Sequence, residues 1–418
     1  MFEFRKAVSV IGTASAIFVA SSAIAVGAEG PAVDQGPPTE AAVNTYQKVF
    51  PQMSGDTART AAAGEEARKQ IVADLSAKNV DTYGGAWFDP PSGVLHVAAT
   101  SAMTEAKAQR LGRDLGVAVQ THAVRRSLAD LEARATLIRT GNDSLSKAAA
   151  SQVGIDIQTN RVVAAVKPGR RSAVRSSDVP QSVAVVNDPQ LRTEADAGCT
   201  SRAACDWTIR AGAMIWRGSS ASRACSVGFT ARTSGNQRYV YTAGHCSNGN
   251  GVTWGTGGLA MGPMQASINS GVLDAAIVRV TNGWFTGDSG GEIYTDSAAG
   301  KTVNLNGVAP SVNYMVQGER VCLSANFTSP NGPNLCGVIG AVSDSSVRGM
   351  TRVDGLDACP GDSGGGWYWL TSQSRRIAYG IHSRSDTGCH VNGGRSWYTP
   401  IAAAKNNWAT SLNVEVKP

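Results

Sequence analysis

The feature that most restricts how this chain can fold is the placement of its cysteines. All eight (Cys199, Cys205, Cys225, Cys246, Cys322, Cys336, Cys359 and Cys389) lie after residue 198 of 418. An even number of cysteines in an exported chain reads as a disulfide framework, here of four bridges. Zinc would require ligand pairs such as Cys-x-x-Cys, and the sequence has none, so no metal and no other cofactor is expected. The cysteine-free stretch from 29 to 195 is then one unit and the cysteine-bearing stretch from 196 to 418 another.

Export is read from the N-terminus. Arg5 and Lys6 precede an uncharged run from Ala7 to Ala25, and Ala23-Ile24-Ala25 supplies small residues at the cleavage positions, with Ala28 as a second boundary. Residues 1–28 therefore read as a signal peptide and the protein as secreted and extracellular. The run is at the short limit for crossing a bilayer and poor in large apolar residues, which speaks against a stable membrane anchor. A net charge of +6 is spread along the chain with no Lys/Arg block or interleaved aromatic platform, so nucleic acid is not an expected partner.

The unit from 29 to 195 reads as α+β. Its opening, to about Pro51, is Ala/Pro-rich and is expected to be mobile. Thr57–Lys78 and Thr104–Leu115 carry helix formers with apolar residues at helical spacing, and Ser127–Arg139 reads as a third helix with Ser127 and Glu132 near its start. Two hairpins follow from alternation and turn residues. Gly85–Phe88 pairs with Val94–Val97 around Asp89–Gly93, and Ile155–Ile157 pairs with Val162–Val166 around Thr159–Arg161. Lys167–Asp188 is basic, Ser/Pro-containing and linker-like. His96 and His122 have no partner motif and read as structural or surface residues.

After Cys199 the texture changes to short strands broken by glycine, of which the chain has 47. Ala213–Trp216, Ala224–Thr230 and Tyr239–Ala243 are examples, and repeated short strands with turn signals favour an all-β barrel or sandwich. The tail, Ile401–Thr410, invites a helix. Asn248–Gly258 reads as turns, because no strand-to-helix context for phosphate binding accompanies its glycines.

Three motifs in this half carry chemistry. In Gly361-Asp362-Ser363-Gly364-Gly365, small residues let the backbone bend around a serine, and the amides of Gly361 and Ser363 can converge on one oxygen as an oxyanion hole requires. A serine hydroxyl needs a base and the base an orienting carboxylate. His245, in Thr242-Ala243-Gly244-His245-Cys246, and Asp274, in Leu273-Asp274-Ala275, supply them in the order His, Asp, Ser. A second Gly-Asp-Ser-Gly-Gly at Gly287–Gly291 holds Ser289 too soon after Asp274 to serve, and it reads as a turn.

These segments, with Val321-Cys322, Cys336-Gly337, Val347-Arg348-Gly349-Met350 and Gly393–Pro400, resemble the secreted bacterial alpha-lytic protease and streptogrisin family. The earlier unit resembles that family's pro-region through Gly84–Asp89, Val124–Leu131 and Gly154–Val163. The resemblance covers nearly the whole chain. It implies two antiparallel six-stranded β-barrels of chymotrypsin-like type, preceded by an α+β pro-domain that assists folding, inhibits the active site and is cut away. The implied enzyme is a monomeric serine endopeptidase acting on protein and peptide substrates. It further implies bridges Cys225–Cys246, Cys322–Cys336 and Cys359–Cys389, leaving Cys199–Cys205, and a role for Ser383 in supporting Asp274. Two other readings stay open: a catalytically inactive protease-like binding or adhesin module, although such relatives usually lose a triad member and none is missing here, and an esterase with the same triad, although the nucleophile lacks the Gly-x-Ser-x-Gly setting of lipases.

Two points stay open in the sequence. Relatives commonly place an arginine after the cysteine matching Cys322 to neutralise the aspartate matching Asp362; here that position is Leu323, so another donor must serve Asp362. For side-chain preference, Asp357 stands at the trypsin spacing before Ser363 and would favour Lys or Arg, while His382, Ser383, Arg384 and Ser385 resemble the segment of glutamate-specific endopeptidases and would favour an acidic residue. Pro360 completes the set expected to border the substrate.

Overall fold

The computed structural model describes residues 38–140, 150–166, 182–187, 209–217, 224–247, 249–256, 259–286, 290–295, 302–326, 335–371, 374–386, 389, 393–408 and 411–417. The expected signal peptide, Ser289 and the Cys199–Cys205 bridge lie outside them.

The N-terminal part is built from helices α1 (Glu40–Val49), α2 (Gly55–Ala63), α3 (Glu65–Lys78), α4 (Ala102–Asp114) and α5 (Leu128–Arg139). Strands β1 (Tyr83–Asp89), β2 (Val94–Ala99) and β3 (Val119–Ala123) form one sheet, and β4 (Ala150–Asp156), β5 (Arg161–Val166) and β6 (Val183–Asn187) another layer. Three expectations are corrected here. The opening stretch is not mobile chain throughout: Thr39 caps α1, and Tyr46 is fully buried with its hydroxyl donating to Glu65. The single helix expected at Thr57–Lys78 breaks at Gly64, which ends α2 and starts α3. Part of the linker-like stretch is β6, which pairs parallel with β5. At α5, Ser127 caps the helix, and Asp130 completes a capping box with it. His96 and His122 meet at 2.9 Å and both stack on Trp87.

The remainder is almost entirely antiparallel sheet. Its first half contains β7 (Met214–Arg217), β8 (Ala224–Ser226), β9 (Phe229–Arg232), β10 (Arg238–Thr242), β11 (Thr253–Thr256), β12 (Leu259–Ser270) and β13 (Leu273–Arg279). β11 lies within Asn248–Gly258, so that stretch is not all turn; Trp254 at its centre is buried in the core of this half. The second half adds β14 (Glu292–Tyr294), β15 (Thr302–Asn304), β16 (Gly307–Val308), β17 (Arg320–Ser324), β18 (Cys336–Asp344), β19 (Met350–Asp354), β20 (Gly366–Leu370), β21 (Arg376–Ser385) and β22 (Arg395–Pro400). A short helix α6 (Ile401–Lys405) and β23 (Asn413–Val414) return the chain to the first half, where β23 pairs with β9.

The first sheet runs β23-β9-β10-β13-β12-β11-β7-β8. The second runs β17-β20-β21-β22-β19-β18, and the β17–β18 pairing closes it into a six-stranded barrel. One core fills each half, around Trp254 and Met264 in the first and Trp367 and Tyr398 in the second. A third cluster, with Phe229, Tyr241 and Ile381, joins them. The N-terminal strands extend the second sheet: Ile155 in β4 registers with Ser343 in β18. Gly154 permits that approach, since a Cβ there would lie 2.3 Å from the backbone nitrogen of Ser345. Among the described residues no helix is long and apolar enough to cross a membrane.

Candidate active site

The three motif residues come from three separate elements. His245 sits in a 3-10 turn, Gly244–Cys246, directly after β10. Asp274 is the second residue of β13, and Ser363 lies in the turn between β19 and β20. The Cys225–Cys246 bridge ties the histidine turn to β8, and Cys359–Cys389 anchors the serine turn; Cys322–Cys336 joins the pair of strands that closes the second barrel.

These elements bring the side chains into one chain of hydrogen bonds. His245 Nδ1 is 2.7 Å from Asp274 Oδ2, and the His245 backbone amide donates to Asp274 Oδ1 at 2.8 Å. On the other side of the ring, Nε2 is 2.8 Å from Ser363 Oγ. Ser383 Oγ donates to Asp274 Oδ2 at 2.5 Å, and the Arg384 guanidinium lies 3.9 Å from the same oxygen. Burial pushes the Asp274 carboxyl up, but the charge and hydrogen bonds of His245, together with Ser383, outweigh it and hold the group at about 2. An ionised Asp274 can only accept, so Nδ1 of the neutral ring carries the proton and Nε2 accepts from Ser363.

The serine turn is strapped from behind. Ser226 donates its amide to the Ser363 carbonyl at 2.7 Å and its hydroxyl to the Gly361 carbonyl at 2.9 Å. Gly361 has φ +95° and Gly364 φ +90°, and a Cβ on Gly364 would lie 2.1 Å from Thr242 Oγ1, so both glycines are demanded by the turn. The Asp362 carbonyl accepts from Gly365 at 2.8 Å; across a trans peptide the Ser363 amide points the opposite way. The Asp362 carboxylate, fully buried, accepts from the Cys359 amide at 2.8 Å, which supplies a donor that the sequence left unassigned.

Around this centre the other expected residues divide. Asp357 is buried in a strand-like segment held on both sides: the Ala358 amide donates to Ser385 Oγ at 3.1 Å, and Ser396 Oγ donates to the Leu356 carbonyl at 2.8 Å. His382 is fully buried, and its backbone pairs with Gly364 and Gly365, which sets it beside the serine turn. Trp367 Nε1 donates to His382 Nδ1 at 3.3 Å and stacks on Tyr398 at 5.5 Å. Pro360 is exposed at the rim. Ser383 and Arg384 turn to Asp274. Sequence reasoning missed Ser226, Thr399, which accepts from the Asp274 amide at 2.8 Å, and Trp367. Ser226 and Thr399 act from strands distant in sequence, and Trp367, just after the serine motif, acts on His382 of the adjacent strand.

No family model matches the chain. It is 26% identical over 380 residues to serine protease 1 of Streptomyces fradiae, covering 89% of this chain and 92% of that one. It is 28% identical over 212 residues to glutamyl endopeptidase 2 of Streptomyces griseus, covering 49% of this chain and 99% of the relative. Solved structures similar to half of the chain include Nocardiopsis protease, at 28% identity and TM-score 0.38, covering 50% of this chain and all of that one. A glutamic acid specific serine protease described as using a histidine triad in substrate binding shows 27% identity and TM-score 0.38, covering 49% of this chain and all of that one. With a paired-sheet fold, a His–Asp–Ser hydrogen-bond chain spanning its two halves, and a likeness to a serine protease along nearly its full length, the chain is a serine endopeptidase of chymotrypsin-like fold that is similar to bacterial serine proteases.

Proposed function

We propose that Ser363 is the nucleophile, His245 the general base and Asp274 the residue that orients the base. The observation that carries this is the continuous contact Asp274–His245–Ser363 at 2.7 and 2.8 Å. Ser363 Oγ attacks the scissile carbonyl as its proton passes to Nε2, giving a tetrahedral oxyanion that faces the amides of Gly361 and Ser363. The imidazolium returns the proton to the leaving amine, and water then hydrolyses the acyl-enzyme by the same route. Each oxyanion donor contributes about 3 kcal/mol to the transition state. Labelling by a fluorophosphonate tests the assignment: it should modify Ser363, and labelling confined to another residue overturns it.

The preferred P1 side chain is acidic in this reading. A tryptophan N–H can only donate, so Trp367 makes His382 Nδ1 an acceptor and puts the neutral ring's proton on Nε2, a donor suited to a carboxylate. The glutamyl endopeptidase relative supports the same preference. Peptides varying only at P1 should be cleaved best after Glu or Asp; preference for Lys or Arg would instead promote Asp357.

The protein is, in this proposal, a secreted zymogen. Residues 1–28 direct export, and 29–195 act as a pro-domain that helps the double sheet close and is then removed. Non-local sheets fold slowly, and a secreted protease survives by unfolding slowly, so a removable template suits it. The extension of the second sheet by β4–β6 supports the reading. Expressed without 29–195, the segment from 198 onward should stay inactive until that unit is supplied in trans; spontaneous refolding to full activity would refute it.

A further inference from the structure

Away from the triad, on the face where α3 meets the second barrel, the fold buries a lysine. Lys69 is 2% exposed, and its ammonium lies 4.6 Å from the Trp369 ring centroid, 5.3 Å from Tyr379 and 5.9 Å from Tyr314. The same ammonium ion-pairs with Glu319, which is fully buried and also accepts from Arg68 at 3.0 Å. The rings stand as walls: Tyr314 meets Trp369 at 66° and Tyr379 at 86°. Three aromatic faces and one carboxylate around a single ammonium is the arrangement by which proteins recognise organic cations, since ring faces and the carboxylate replace the water an ammonium gives up.

The origin of these groups is uneven. Tyr314, Glu319, Trp369 and Tyr379 belong to the second barrel and its entry turn, where β20 and β21 fix two of the walls by their pairing. Lys69 comes from α3 of the N-terminal part, as does Arg68, which pairs with the other oxygen of Glu319. The walls form a receptor and the lysine its occupant. We propose that Tyr314, Trp369, Tyr379 and Glu319 form a binding site for a primary alkylammonium group, which Lys69 fills as an intramolecular ligand. Given the proposed removal of 29–195, the site in the processed enzyme faces solvent and takes a lysine side chain of a polypeptide.

The test uses the full chain carrying Ser363→Ala, so that it stays intact and hydrolysis plays no part in the readout; self-cleavage of that chain would count against the triad, not against this site. With Lys69→Ala added, n-butylammonium at a hundredfold its Kd should raise Tm by about 5 °C over equal ionic strength of NaCl. The chain with Lys69 in place should not respond, n-butanol should be inert, and Lys69→Ala with Glu319→Gln should lose the response. If Lys69→Ala recovers poorly, n-butylammonium in the refolding buffer should restore its yield. Absence of both shift and rescue, or an equal shift with Lys69 present, overturns the proposal.

Discussion

Asp274 and Glu319 are both fully buried carboxylates, yet their acidities move in opposite directions. At Asp274 the upward push of burial is beaten first by the charge of His245 and then by directed donors, two from His245 and one from Ser383, all aimed at its two oxygens. At Glu319 burial again pushes upward, and there Lys69 and Arg68 do not overcome it, because a second carboxylate, Glu65, stands in the same cluster and adds to the push. Glu65 itself accepts from Tyr46 and Trp369 and pairs with Arg320. The difference teaches that a buried acid is held down when an opposite charge and several donors converge on it with no like charge beside it. The first site is the one proposed for proton transfer; the second holds two segments together.

If that division is right, substitutions at the two sites should fail differently. Ser363→Ala should lower kcat/KM by about 10⁴–10⁶-fold, and Asp274→Asn by about 10⁴-fold, with the fold retained. Steady-state kinetics beside a thermal melt checks both; loss of folding in Ser363→Ala would break the comparison. Glu319→Ala, in the intact Ser363→Ala chain, should instead cost about 3–5 kcal/mol of stability, since it leaves Lys69 and Arg68 buried without their carboxylate. Denaturant titration measures it, and a loss below about 1 kcal/mol would mean the cluster relaxes freely.

The pH dependence separates the sites further. The depressed Asp274 carboxyl stabilises the fold by about 2–3 kcal/mol above its unfolded value near ~3.9, and this is lost as pH falls towards about 2. Glu319 has the opposite sign: its raised value means stability is fullest below the unfolded value near ~4.3 and declines as pH rises through the folded one. Glu319→Gln should remove the second limb and leave the first, as melts from pH 2 to 8 would reveal. The smallest effect expected is at Gly154→Ala, where the new methyl meets the Ser345 backbone and should cost about 1–3 kcal/mol in the full chain. The processed enzyme would lack that residue and keep its full turnover.

What could be read from the sequence were the places where chemistry needs particular residues close together along the chain. Gly361–Gly365, the His245 turn and Asp274 are of that kind, as are the Val94 hairpin and the Ser127 cap. What escaped depends on partners far away. α1 looked like mobile Ala/Pro-rich chain because the reason for its order, Tyr46 donating to Glu65 beneath it, lies 19 residues on. β11 and β6 were hidden in glycine-rich and basic stretches whose strands form only against β12 and β5. Trp367 could not be tied to His382 by spacing, since adjacent strands bring them together. The donor to Asp362 was local, three residues away, yet it is a backbone amide and so left no mark on the sequence.

His245 and Ser363 are separated by 118 positions and belong to opposite halves of the double sheet, with Ser226 of the first half holding the serine turn of the second. With the proposed roles, neither half alone can cut a bond. In the proposed scheme of export and catalysis, the base and its carboxylate emerge long before the nucleophile and wait inert until the second barrel closes. On that scheme destructive capacity is the last property this polypeptide acquires, so the machinery that makes and exports it would handle a harmless chain.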